Sequence, residues 1–140
     1  MGNTGIRAGV SATAIVRAAD AMLRALGGDE ISLVFPLVAM PNDPSAQLGL
    51  VDPGVQEVKF CPVVARNLPT SNKGPRRRME FLLPGSAVAK AVVAQNAASA
   101  QALFDSVLAL SHDGELFHIE GITTEYFAGT AYLYRLVGVE

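Results

Sequence analysis

The stretch that decides the fold is residues 99–140, SAQALFDSVLALSHDGELFHIEGITTEYFAGTAYLYRLVGVE, and within it the pair Asp113-Gly114. Residues 108–111 before that pair and 116–122 after it are apolar-rich runs. A two-residue type I′ turn needs positive φ at both central positions, and Asp-Gly supplies that at low cost, so the stretch predicts a β-hairpin. Phe127-Ala128-Gly129 offers a second turn. From Thr130 to Val139 the side chains alternate, with Tyr132, Tyr134 and Leu136 on one face and Ala131, Leu133, Val137 and Val139 on the other. Both faces are largely apolar, which predicts a strand covered on each side. Upstream, Ser99 is placed to cap residues 100–107, where Ala100, Leu103, Phe104 and Val107 fall on one helical face. The picture is one short helix laid on an antiparallel meander, with Leu103, Phe104, Ile119, Leu133 and Val137 expected in the core.

Working back toward the start, residues 1–10 are small, polar and glycine-bearing and read as a flexible arm. Ser11 then opens a run in which Ala12, Ile15, Val16, Ala19, Met22, Leu23 and Leu26 recur on one face, closed by Gly27-Gly28. Cap, stripe and glycine stop agree on a helix over residues 11–26, lying on the chain's own sheet or on a neighbouring subunit. Residues 30–35 alternate as a half-buried strand that Pro36 halts. Residues 55–65 form another strand, and Pro62 places it at an edge or marks a bulge. Residues 79–83 form a third, ended by Pro84-Gly85, and residues 86–93 read as an Ala- and Val-rich helix with a strand as the alternative. Two polar loops, 40–54 and 67–78, are long for connections inside a compact domain. The fold class is thus mainly β, a small antiparallel barrel or sandwich with an N-terminal helix and one or two short helices. Residues 11–140 form its single domain.

The chain of 140 residues is of single-domain length. A domain of about 150 residues buries about 68–70% of its unfolded surface, so no staple is required. Half of the residues are apolar and 17% are charged, the net charge is −2, and Cys61 is the single cysteine. This composition excludes an internal disulfide and offers no global attraction to nucleic acid. A low charge fraction suits a subunit that hides surface in an assembly. No secretion signal is evident at the start, which gives cytosolic synthesis as the expectation.

The candidate chemical motifs of the chain are weak. Cys61 with His112 or His118 is available for nucleophilic catalysis, but Cys61 reads as a small buried hydrophobe in an apolar strand. His118, between Phe117 and Ile119, reads as a half-buried strand or interface group, and His112 beside the turn reads as exposed. The two histidines with Asp113 and Glu115 show no recognised metal-ligand spacing. Glu115, Glu120 and Glu125 are better read as the wet face of a sheet than as paired catalytic carboxylates. The glycines of residues 2–9 lack the flanking strand and Lys-Ser/Thr of a phosphate loop. Arg76, Arg77 and Arg78 alternate on a strand and cannot form one flat patch, so carboxylate pairing is preferred to phosphate binding. The expectation is a protein that is not an enzyme, with no cofactor and no metal.

The order of parts, "SAQALFDSV", a strand, "HDGELFHIEGI", a turn and "GTAYLYRLVGVE", resembles the head-tail connector, head-closure and stopper proteins of tailed-bacteriophage necks. The resemblance covers residues 99–140 and rests on the Asp113-Gly114 turn, residues 116–119 and residues 132–135. The long loop and the helix over 11–26 depart from the shortest members. What the resemblance implies is a structural virion protein, assembled in the bacterial cytoplasm. It would form a homo-oligomeric ring between portal or adaptor and tail proteins, closing or connecting the DNA channel. Contact with packaged DNA, where it occurs, would run through backbone phosphates. No membrane and no small-molecule substrate are implied. Asn42, Asp43, Gln47, Asp52, Lys73, Arg76, Arg77 and Arg78 are the interface or channel candidates. The alternative is a non-catalytic ligand- or peptide-binding barrel in which Phe35, Phe60, Phe117, Tyr132 and Tyr134 line a pocket.

Overall fold

Ser11 begins the described structure, its Oγ accepting a hydrogen bond from the Ala14 N–H at 3.2 Å and so capping helix α1 (Ala12–Leu26). The computed structural model describes residues 11–37, 54–69 and 76–140. After α1 the chain runs through β1 (Asp29–Pro36), β2 (Val55–Leu68), β3 (Arg78–Pro84), α2 (Gly85–Ala94), α3 (Ala100–Asp105), β4 (Ala109–His112), β5 (Glu115–Phe127) and β6 (Thr130–Val139). The six strands close into an antiparallel barrel in the order β1-β2-β3-β6-β5-β4. Closure removes most of the free edge that an open sheet would expose. The expected mainly β fold is therefore a barrel rather than a sandwich.

Strand β2 serves two partners. Its first half pairs with β1, and from Val64 to Leu68 it pairs with β3. Between the halves, Ile31 faces Phe60 while Asp29 faces Val63, so Cys61-Pro62 lies in a β-bulge. Proline has no N–H to give the ladder, and a bulge is where a strand tolerates it. The strand consequently runs on to Leu68, past the predicted end at residue 65, and Leu68 pairs with Arg78. The predicted loop over 67–78 is shorter for that reason: Asn67, Leu68 and Arg78 belong to strands.

Both predicted turns form. Asp113 and Gly114 sit at φ 50° and 79°, and Ala128 and Gly129 at 51° and 79°, each a two-residue connection between paired strands. Ala128 is the weak member, since a Cβ in the left-handed region costs an L-residue about 1–2 kcal/mol that asparagine partly escapes. Ala128→Asn is expected to stabilise the protein by up to about 1 kcal/mol. A urea-unfolding midpoint that fails to rise would contradict this account of the turn.

The barrel interior is filled by Ile31, Leu33 and Phe35 of β1, Phe60 and Val63 of β2, Met79, Phe81 and Leu83 of β3, Leu110 of β4, Phe117 of β5, and Tyr134 and Leu136 of β6. Phe81 stands edge-on to Phe117, ring centroids 5.6 Å apart. Val88 and Ala91 of α2 and Leu103 and Phe104 of α3 enter the same cluster. The Ser99 Oγ caps α3 through the Ala102 N–H at 3.1 Å, as the sequence predicts.

Helix α1 lies outside the barrel, against β2, β3, β6 and α2. Its Asp20 carboxylate accepts a bifurcated hydrogen bond from the Ser86 Oγ at 2.8 and 3.0 Å, which ties α1 to the first turn of α2. Ala19 and Leu23 are buried there. Leu133 is buried as expected, on the outer side of β6. Val137 departs from expectation and is only partly buried, because the interior side of β6 is the one carrying Tyr134 and Leu136. Ile119 packs against the cluster while partly exposed.

Candidate interaction surface

The arginines near the start of β3 are occupied within the chain. Arg77 pairs with Glu115 and its Nε donates to the Asn67 side-chain oxygen at 3.3 Å. Arg78 donates to Glu120 at 2.8 Å. The cation-rich stretch thus reaches across to β5 and is neutralised there, leaving Arg76 exposed with no ion pair among the described residues. The other loop candidates, Asn42, Asp43, Gln47, Asp52 and Lys73, lie outside the described residues.

A second ionic group was not visible in the sequence. Glu80 has a side chain only 7% exposed, held between Arg66 at 2.6 Å and Arg135 at 3.4 Å. Glu80 sits opposite Arg66 in the β2–β3 register, and Arg135 opposite its neighbour Leu82 in the β3–β6 register. A carboxylate between apolar Met79 and Phe81 signals only an outward-facing strand position; its partners require the strand order. With either arginine missing Glu80 keeps one partner, and it becomes an unpaired buried charge only when both are lost.

The histidines reverse their expected environments. His112 is buried, 8% exposed, with its ring edge against Phe81 at a centroid distance of 5.5 Å. It shares the inward parity of Leu110, and the two-residue turn does not lift it out of the sheet. Its Nε2 donates to Asp29 Oδ2 at 2.7 Å, which stitches the β4–β5 turn to the start of β1. His118, on the opposite parity of β5, is exposed. Cys61 is also exposed rather than buried, because the bulge turns it outward, and its thiol donates to the Gly28 carbonyl at 3.7 Å. That is a contact with backbone and not with an imidazole. Among the described residues, no group of three or more His, Cys, Asp or Glu side chains converges as a metal site would require.

The hydrogen bond from His112, then the one from the Glu30 N–H, hold the Asp29 carboxyl below its usual 3.8. A carboxyl depressed in the folded state stabilises the fold above the unfolded-state value, and that contribution is lost as pH falls through the lower folded one. Stability is therefore expected to decline below about pH 4. In His112→Gln the Asp29 share of that decline should shrink. Urea titrations at pH 6 and pH 3 that give the variant the same loss as the parent protein would refute this coupling.

Part of the exposed apolar surface gathers around one hollow. Ile15, Ala18, Ala19 and Met22 of α1 face Phe127 and Tyr132 of the β5–β6 hairpin across a hollow of about 240 Å³. Met22 is 46% exposed and Leu26 62%, while Ala19 and Leu23 are buried, so only part of the α1 stripe is used by the chain's own sheet. Of the residues proposed to line a ligand pocket, Phe35, Phe60, Phe117 and Tyr134 are packed in the core, and Tyr132 borders this outer hollow instead.

Comparison with protein-family models, curated proteins and solved structures finds no match. Among the described residues no helix is long and apolar enough to cross a membrane.

Proposed function

We propose that the chain is a structural subunit of a tailed-phage neck, assembling as a homo-oligomeric ring between portal or adaptor and tail. The observation that carries this reading is the α1 stripe, whose Met22 stays exposed beside Phe127, with Leu26 exposed one turn further on, although Ala19 and Leu23 of the same helix are buried. Contiguous apolar surface of this kind belongs in a protein–protein contact. The sequence pattern of residues 99–140 supplies the rest. The neutralised arginines favour protein contacts over DNA contacts, and the barrel then serves as a rigid carrier for its outer surfaces.

Size in solution tests the proposal. Light scattering on the purified protein, alone and mixed with a portal ring and tail components, should reveal a closed oligomer or a saturable ring complex. A protein that stays monomeric under both conditions, with no ring in electron micrographs, overturns it. The runner-up, a monomeric binding module, predicts that second outcome.

A further inference from the structure

Between α1, β2 and α2 lies a hollow of about 360 Å³, within the size range of small-molecule pockets. Arg24, Lys59 and Lys90 line it, one from each element. The hollows beside α3 and the one between α1 and the β5–β6 hairpin have no lysine or arginine among their lining residues. Elsewhere the arginines are taken by carboxylates: Arg66 and Arg135 by Glu80, Arg77 by Glu115 and Arg78 by Glu120. Arg24 and Lys90 form no ion pair among the described residues. Lys59 reaches Glu30 at 3.7 Å, with both side chains more than half exposed, an arrangement that contributes little and leaves the ammonium free to change partner. The carboxylate of the hollow, Asp20, is held by the Ser86 hydroxyl and pairs with none of the three cations. The exposed Cys61 borders the same space.

We propose that this hollow binds the diphosphate group of a small phosphorylated molecule. Three cations against one carboxylate on a concave surface focus a positive potential, so an anion is drawn there although the whole chain carries a net charge of −2. Their origin on three separate elements favours a guest with several anionic oxygens set apart, which two linked phosphates supply and a single carboxylate does not. A guanidinium forks onto two phosphate oxygens, the role of Arg24, while Lys59 and Lys90 act as point charges. Val58, Pro62, Ala87 and Ala91, which also line the hollow, receive the uncharged part of the guest. A nucleic-acid duplex carries its phosphates on a convex surface, which does not enter a hollow of this size. Bound there, the guest bridges α1 to β2 and α2 and reinforces the Asp20–Ser86 tie that seats α1. The site is independent of the neck reading, which its failure would leave untouched.

Calorimetry on the full chain tests the site, with inorganic pyrophosphate as the probe and sulfate at matched ionic strength as the control. Pyrophosphate should bind saturably and at least about tenfold more tightly than sulfate. It should raise the urea-unfolding midpoint, since it binds the folded chain alone. It should also slow alkylation of Cys61 by uncharged iodoacetamide at least about fivefold, because the guest covers the thiol. Arg24→Gln and Lys90→Gln, both at exposed positions, should each weaken pyrophosphate at least about fivefold. Arg17→Gln removes an exposed cation of α1 that lies outside the hollow, and should leave binding unchanged. Equal weakening by all three variants overturns the site in favour of diffuse charge attraction. Equal affinity for sulfate overturns the diphosphate assignment, and absence of saturable pyrophosphate binding overturns the proposal outright. A duplex oligonucleotide that displaces pyrophosphate and loses affinity in Lys90→Gln would assign the cations to a DNA backbone, which also overturns it.

Discussion

Gly85→Ala is expected to cost at least about 3 kcal/mol, and enough in a marginal protein to prevent folding. A Cβ on Gly85 would stand 2.2 Å from the Ala131 carbonyl oxygen and 2.8 Å from the Tyr132 Cα. Both are backbone atoms of β6, so no rotamer change relieves the contact. The close approach has a local cause. Between Glu125 and Tyr126 the β5–β6 register shifts, leaving Tyr132 as an extra residue in β6, and the first turn of α2 rests on that bulge. Gly121→Ala is the control, because a Cβ there meets nothing within 4 Å. The control should fall within about 0.5 kcal/mol of the parent. Equal urea midpoints for the two variants would remove the argument that α2 is seated by backbone contact.

Phe81→Ala is expected to destabilise the barrel by about 3–5 kcal/mol, the range for emptying a large buried aromatic site. Phe81 is fully buried and touches both Phe117 and the His112 ring. Its loss would open a cavity in the interior and also free the imidazole that holds Asp29. The acid sensitivity described above should therefore weaken in the same variant. Val93→Ala, on an α2 side chain 81% exposed, should change stability by less than about 0.5 kcal/mol. A Phe81→Ala protein as stable as the Val93→Ala one would mean that the interior is not packed as described.

Local signals carried most of the secondary structure. The Asp113-Gly114 turn, the Ser11 and Ser99 caps and the alternation of Ile31, Leu33 and Phe35 each depend on residues a few positions apart, and each is found where the sequence places it. The failures have one origin. Which side of β6 faces inward, whether Cys61 is covered, and how far β2 continues all depend on partners distant in sequence. His112 is the instructive case, since its parity with Leu110 pointed inward and its nearness to a turn pointed outward. Parity prevailed, because a two-residue turn leaves its flanking pair, His112 and Glu115, inside the ladder. The acidic partners Glu115 and Glu120 of the arginines were legible as residues of a wet face, but their pairing required β3 and β5 to flank β6.

The four residues of β4 have a consequence for how the barrel moves. They supply the whole junction between β1 and β5: Ser32 to Val34 on one side and Glu115 to Phe117 on the other. Every other junction in the ring is longer. A cylinder opens where its wall is thinnest, and excursions from the native state begin in the unit with the fewest backbone bonds to break. This barrel therefore breathes along β4, with Leu110 as its innermost fastening and the His112–Asp29 bond as the latch at one end. Solvent reaches the interior first through that slit, and acid, by protonating Asp29, lifts the latch.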